Sequence, residues 1–204
     1  MRAVSIWLRV CTVLAFAMIV AGGITRVTRS GLSITRWDPV TGVLPPTSDA
    51  GWHEAFDRWR ASPEGRARRD VSESAFRPLY LVEWAHRVLA RTTALVFGVP
   101  LVVFALRREL DRRRVRWLAL VLGVIVAQGA LGWLMVASGL VDAPHVSPFR
   151  LAAHFVVGAS ILGAFAWAAT EPASSPPARG ARAAALLALA LGAIAVALGA
   201  VMAG

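Results

Sequence analysis

Five apolar runs decide what this chain can become, because none of them can be left in water and each is long enough, or nearly so, to cross a bilayer. A helix needs about 20 residues to span the roughly 30 Å of hydrocarbon. The runs fall at about Val4–Thr25, Leu79–Leu106, Trp117–Ala137, Pro148–Ala169 and Ala181–Ala203. In lipid every backbone N–H and C=O must be paired within the chain, so such runs become helices. The expected fold is therefore all-α, a polytopic membrane helix bundle. The first run follows Arg2 and contains Ala21-Gly22-Gly23, a pattern that a cleaved signal peptide also has. Four further runs follow it, so a retained first helix is the expectation.

Charge fixes the orientation of such a bundle. The net charge of +10 would suit a nucleic-acid partner, but there is no lysine, and the arginines sit between the apolar runs. That is the distribution of a membrane topology signal, and it excludes nucleic acid as the expected partner. Arg107, Arg108, Arg112, Arg113, Arg114 and Arg116 crowd the link between the second and third helices. By the positive-inside rule this link, the amino terminus and the link holding Arg179 and Arg182 face the cytoplasm. Cell (inner) membrane is the expected location, with membrane lipid as a partner. The outer loop 26–77 is expected outside and, at this length, functional; Trp52–Trp59 reads as an amphipathic helix within it and the loop as a lid. The single cysteine, Cys11, lies in the first run, so no internal disulfide can form.

Within the second helix sits Glu83-Trp84-Ala85-His86-Arg87. Ionisable residues at membrane depth are costly and mark function. At helical spacing Glu83, His86 and Arg87 share one face, continued inward by the small residues Ala90, Ala94 and Gly98. Such a face leaves room for something flat between helices, or else allows close helix packing around a buried histidine.

A repeat favours the first reading. Helix one leaves the membrane through Ser30-Gly31-Leu32, and helix three through Ser138-Gly139-Leu140. After each outer link a proline, Pro78 or Pro148, is expected to open the next helix. His86 follows Pro78, and His154 follows Pro148, at spacings that put both imidazoles about 9–12 Å from the outer helix ends. Two hairpins of the same orientation, each with one histidine, read as a parallel repeat about an axis along the membrane normal. Two such histidines suit the axial positions of one haem. Zinc would want three or four ligands, which the inward positions do not supply. Arg87 and Arg150 could pair with haem propionates, although Arg150 reads equally well as an interfacial anchor. Gly158, one turn inward of His154, removes bulk beside the ring.

Several stretches resemble the haem A synthase family. They are Gly22-Gly23-Ile24-Thr25-Arg26-Val27-Thr28-Arg29-Ser30-Gly31-Leu32-Ser33, Trp37 with Pro39, Pro45-Pro46, Pro63-Glu64, and Glu83-Trp84-Ala85-His86-Arg87. Gln128-Gly129-Ala130-Leu131-Gly132-Trp133 through Leu140, and Val146-Ser147-Pro148-Phe149-Arg150 through His154, complete the match. The resemblance covers residues 22–154, in order and in spacing, and corresponds to the amino-terminal half of that family. It implies an oxidoreductase that converts the ring-D methyl of haem O into the formyl of haem A. His86 and His154 would then be axial ligands of the haem iron, with haem O as substrate, and Glu83 the catalytic carboxylate beside the reacting methyl. Glu83 could equally orient His86. The family's second half carries its own histidine pair for a haem b cofactor.

The expected organisation is a haem-binding four-helix bundle over residues 1–170, with a linker and a fifth transmembrane helix over 171–204 as the start of a second half. A second haem site would come from a homodimer or a separate second-half subunit, and haem O synthase is a further expected partner. The competing readings are a non-catalytic bis-histidine electron carrier and an inactive truncated half-synthase.

Overall fold

The computed structural model describes residues 2–141 and 144–169. The expected linker and fifth helix, with Arg179, Arg182, Gly192 and Gly199, lie outside the described residues. Among the described residues the fold is all helical: α1 (Arg2–Val27), α2 (Asp49–Ala61), α3 (Pro63–Ala67), α4 (Glu73–Leu106), α5 (Arg112–Ser138) and α6 (Pro148–Ala169). Four of these, α1, α4, α5 and α6, are long and apolar enough to cross a membrane. Their packing order is a ring. Helix α1 packs on α4 and α6, and α5 packs on the same two. Helices α4 and α6 therefore stand diagonally across the bundle.

The half of the ring nearest the α4–α5 link is closed by a dense apolar core. Val4, Trp7, Leu8 and Cys11 from α1 meet Phe97 and Leu101 from α4, Leu118 and Val121 from α5, and Ile161 and Phe165 from α6. Proline shapes this core. Pro100 lies inside α4 and has no N–H, so the Val96 carbonyl loses its helical donor. The Trp7 indole N–H of α1 donates to that oxygen at 2.8 Å. The same indole stacks on Phe97, with ring centroids 5.3 Å apart. A cross-helix side chain thus satisfies the carbonyl that proline freed, as the hydrocarbon region demands.

The outer end differs from expectation in one respect. Pro78 does not open the helix, because α4 begins five residues earlier, at Glu73. Ser72 caps it by accepting from Ala75 N at 3.3 Å, and Glu73 pairs with Arg77 one turn on. The carbonyl that Pro78 leaves without a donor is that of exposed Ser74, where water can reach it. Over 34 residues α4 is about 51 Å long, more than a bilayer needs, so its first turns project from the membrane. The two histidines are consequently not at matched distances from their helix starts. His154 is about 9 Å along α6, whereas His86 is about 20 Å along α4.

The projecting turns carry α2. The amphipathic stretch expected at Trp52–Trp59 is helical, and it buries Ala55 and Trp59 against Phe76 of α4. Ser62 then serves two helices: its hydroxyl donates to Trp59 O at 2.6 Å and accepts from Gly65 N at 3.2 Å. Glycine is required at 65, since a Cβ there would lie 2.1 Å from Trp59 O.

Candidate functional site

Beyond this apolar core, toward the α2 end, the bundle has a layer without one. Among the described residues, α1 buries nothing between Ala15 and the loop residue Ser30, and α4 nothing between Glu83 and Thr93. Helix α5 buries nothing between Val121 and Val136, and α6 nothing between Leu151 and Ile161. Most residues of these stretches are half-buried. Both histidines lie in this layer.

Each imidazole rests against a glycine of its own hairpin. A Cβ placed on Gly22 of α1 would lie 3.6 Å from His86 Nε2. One placed on Gly132 of α5 would lie 3.0 Å from His154 Cε1 and 3.5 Å from its Nδ1. The second contact is the tighter, and a side chain there would push the ring. His154 Nδ1 is buried with no hydrogen-bond partner. Gln128, one turn before Gly132 on α5, donates its side-chain Nε2 to the His154 backbone oxygen at 2.7 Å. The space beside Gly158 is filled by the same amide, since a Cβ at 158 would lie 3.3 Å from Gln128 Nε2. Gly98 meets Leu122 of α5, so its small size serves helix packing.

Glu83 and Arg87, on the turn that carries His86, have partners of their own. Glu83 is 3% exposed and both of its oxygens are engaged. Its Oε1 takes Arg87 Nη2 at 2.6 Å and Nε at 3.1 Å, and its Oε2 accepts from the Ile34 backbone N–H at 2.7 Å. The Arg87 guanidinium also donates to Ile34 O at 3.0 Å and Arg36 O at 2.9 Å, and lies over the Trp133 ring. Further along the same stripe, Arg91 donates to the carbonyls of Asp38, Pro39 and Gly42 at 2.7, 2.9 and 3.1 Å. Trp84 Nε1 donates to Val43 O at 3.0 Å. Trp37 stacks on Trp133, with centroids 6.0 Å apart and planes at 11°. Residues 34–43 thus form a strap, bound along α4 and reaching across to α5. One helical turn therefore serves two neighbours: His86 lies against Gly22 of α1, while Glu83 and Arg87 hold the strap.

Arg150 is exposed and donates to Leu134 O at 2.6 Å, tying the outer end of α6 to α5. Of the residues singled out from sequence, the structure brings Glu83 and Arg87 together and sets His86 and His154 on diagonal helices. Arg150 stands apart. Sequence reasoning missed Gln128, Arg91 and the roles of Gly22, Gly132, Trp37 and Trp133. Gln128 had a signal, being a lone amide inside an apolar run. The strap had none, because its partners are backbone groups of a loop.

The donor set suits a haem better than a bare metal ion. Among the described residues no three His, Cys, Asp or Glu side chains come together. What is present is one imidazole on each of two diagonal helices, a layer of half-buried residues around them, and an unpartnered imidazole nitrogen. His86 and His154 would hold such a group, and it would supply the redox chemistry.

Comparison with known proteins gives these features a lineage. Residues 5–204 match the family described as cytochrome oxidase assembly protein. This chain belongs to that family. Among the curated relatives of this chain, the Heme A synthase of Parvibaculum lavamentivorans is 42% identical over 100% of the chain and 60% of its own length. The Heme A synthase of Caulobacter vibrioides is 39% identical over 86% of the chain and 52% of its own length. That of Anaplasma marginale is 45% identical over 74% and 45%. The chain therefore spans about half the length of the curated relatives it matches. No solved structure matches it significantly. Family membership and four apolar helices together make it a multi-pass membrane protein.

Proposed function

We propose that this chain is the haem O-binding half of a haem A synthase, in which the ring-D methyl of haem O is oxidised to a formyl group. One observation carries the reading: two imidazoles on diagonal helices, each seated against a glycine of its neighbour, in the one layer of the bundle that lacks a core. The repeated glycine contact supports treating the two hairpins as copies of one unit. Haem O would enter as substrate with His86 and His154 as axial ligands. Arg87 is committed to the strap and Arg150 to Leu134 O, so propionate pairing would have to share those bonds. The amino terminus and the arginine-rich α4–α5 link are assigned to the cytoplasmic side of the cell membrane. The haem layer then lies toward the outer side.

Converting a methyl to a formyl removes hydrogen from carbon and adds oxygen, so a carboxylate beside that carbon is useful. Glu83 is the acidic side chain nearest in sequence to His86 on α4. Its bonds to Arg87 and to Ile34 N–H favour a second role, in which it fixes the strap and the turn bearing His86. A second haem site is assigned to a second copy of this chain or to a chain carrying the other half, and haem O synthase to the supply of substrate.

The test is pigment analysis of the protein purified from cells that make haem O and lack any other haem A synthase. Co-purified haem O, with haem A formed when the second half is supplied, is the expected result. Protein free of haem in both settings would overturn the reading.

A further inference from the structure

Three buried polar side-chain atoms among the described residues have no hydrogen-bond partner, and two of them belong to residues in contact: Gln128 Oε1 and His154 Nδ1. The third, Ser5 Oγ, lies near the cytoplasmic end of α1. The Gln128 amide is locked in place by the 2.7 Å bond from its Nε2 to the backbone oxygen of His154. Exchanging its nitrogen and oxygen would set two carbonyl oxygens against each other, so Oε1 is the end left without a partner. That oxygen therefore sits beside the residue whose ring carries the other orphan. A neutral imidazole has one N–H, and a ring that offers Nε2 to a ligand carries it on Nδ1. The pair is then a buried donor without an acceptor beside a buried acceptor without a donor.

The first hairpin has no such arrangement. Gln128 stands four residues before Gly132, the glycine that touches His154. Four residues before Gly22, the glycine that touches His86, stands Met18. The glycine contact recurs in both hairpins, and the amide occurs in only one.

We propose that Gln128 is a positioning residue for His154: its Oε1 takes up the Nδ1–H through one bridging water and fixes the tautomer that leaves Nε2 free for haem iron. The proposal rests on the haem reading above. A partner on the far nitrogen makes an imidazole a stronger donor to a metal, so His154 becomes the stronger ligand and His86 the weaker.

The variants are Gln128→Met, which copies the first hairpin and keeps the volume, and Gln128→Glu. Protonated in this apolar layer, the glutamate keeps an oxygen for Nδ1 and an O–H for the His154 carbonyl. The readouts are haem content, the midpoint potential of the bound haem and its low-spin electron paramagnetic resonance g values. Gln128→Met is expected to raise the potential and shift the g values, or to lose haem, while Gln128→Glu stays close to the parent. Met18→Leu, the matched change in the first hairpin, is expected to alter none of them. The proposal is overturned if Gln128→Met keeps the parent's potential and g values, or if the methionine and glutamate variants change alike. A parent protein that binds no haem would instead remove the haem reading itself.

Discussion

The hairpin α1/α4 and the hairpin α5/α6 seat a histidine in the same way and surround it differently. In both, an imidazole from the second helix lies on a glycine of the first. Around His86, the helix stripe Glu83, Arg87 and Arg91 holds a strap of outer backbone, with Trp84 adding a fourth point. Around His154 there is no strap. The outer link is short, closed by Ser138 Oγ accepting from Ser147 N at 2.9 Å, and Gln128 occupies the inward side. What the hairpins share is what ligation needs, and what they do not share is where substrate handling would be specified. The difference can be pressed experimentally.

The largest expected effect is at the strap. Arg87→Ala would leave the Glu83 carboxylate buried with its cation gone, and breaking a buried pair in this way costs about 3–5 kcal/mol. Thermal unfolding should show the loss, and trypsin should cut faster after Arg36 as the strap detaches. If stability is unchanged, the strap is not what holds the first hairpin's outer end. Glu83→Gln separates the roles of that residue: retained haem with no formyl product would assign it to chemistry, and loss of haem to orientation.

The glycines come next, and they should not be equivalent. Gly132→Ala puts a methyl 3.0 Å from the His154 ring and should lower haem occupancy severalfold. Gly22→Ala meets His86 Nε2 at 3.6 Å, an ordinary contact, and should leave occupancy close to the parent's. Equal losses at both positions would mean that the two seats are tighter copies of each other than the geometry allows.

A smaller effect distinguishes α4 from α6 below the layer that holds the two histidines. Trp7→Phe keeps the stack on Phe97 but removes the donor to Val96 O, and an unpaired buried carbonyl costs about 1–3 kcal/mol. Adding Pro100→Ala supplies a helical N–H to that oxygen and should recover most of the loss. A double variant no more stable than Trp7→Phe would contradict this account of the helix at Pro100. The smallest effect is expected for Arg150→Ala, which removes one exposed bond to Leu134 O and should change stability by less than about 1 kcal/mol. A marked fall in haem affinity there would restore the propionate role.

How much of this was legible in the sequence follows the same division. The four described spans were legible because apolar length alone sets a membrane helix, and His86 and His154 because polar groups in such spans are conspicuous. The start of α4 was not, since Pro78 resembled a helix opening. The residues that extend the helix past it, Ser72, Glu73 and Phe76, act through a cap, an ion pair and contact with α2. Glu83, Arg87 and His86 were read as one inward face. Spacing alone could not show the strap, because Arg87 takes its acceptors from Ile34 and Arg36, some fifty residues away in sequence. Gly98 looked like room for a ligand and is packing against Leu122.

The central claim is that the two hairpins hold a single haem between them, one imidazole from each. The most direct measurement is haem stoichiometry, with low-spin electron paramagnetic resonance, on the purified parent and on His86→Ala and His154→Ala. The account predicts one haem per chain in the parent with a bis-imidazole low-spin signal, and loss of that signal in each single variant. A parent-like low-spin signal in either variant would contradict it.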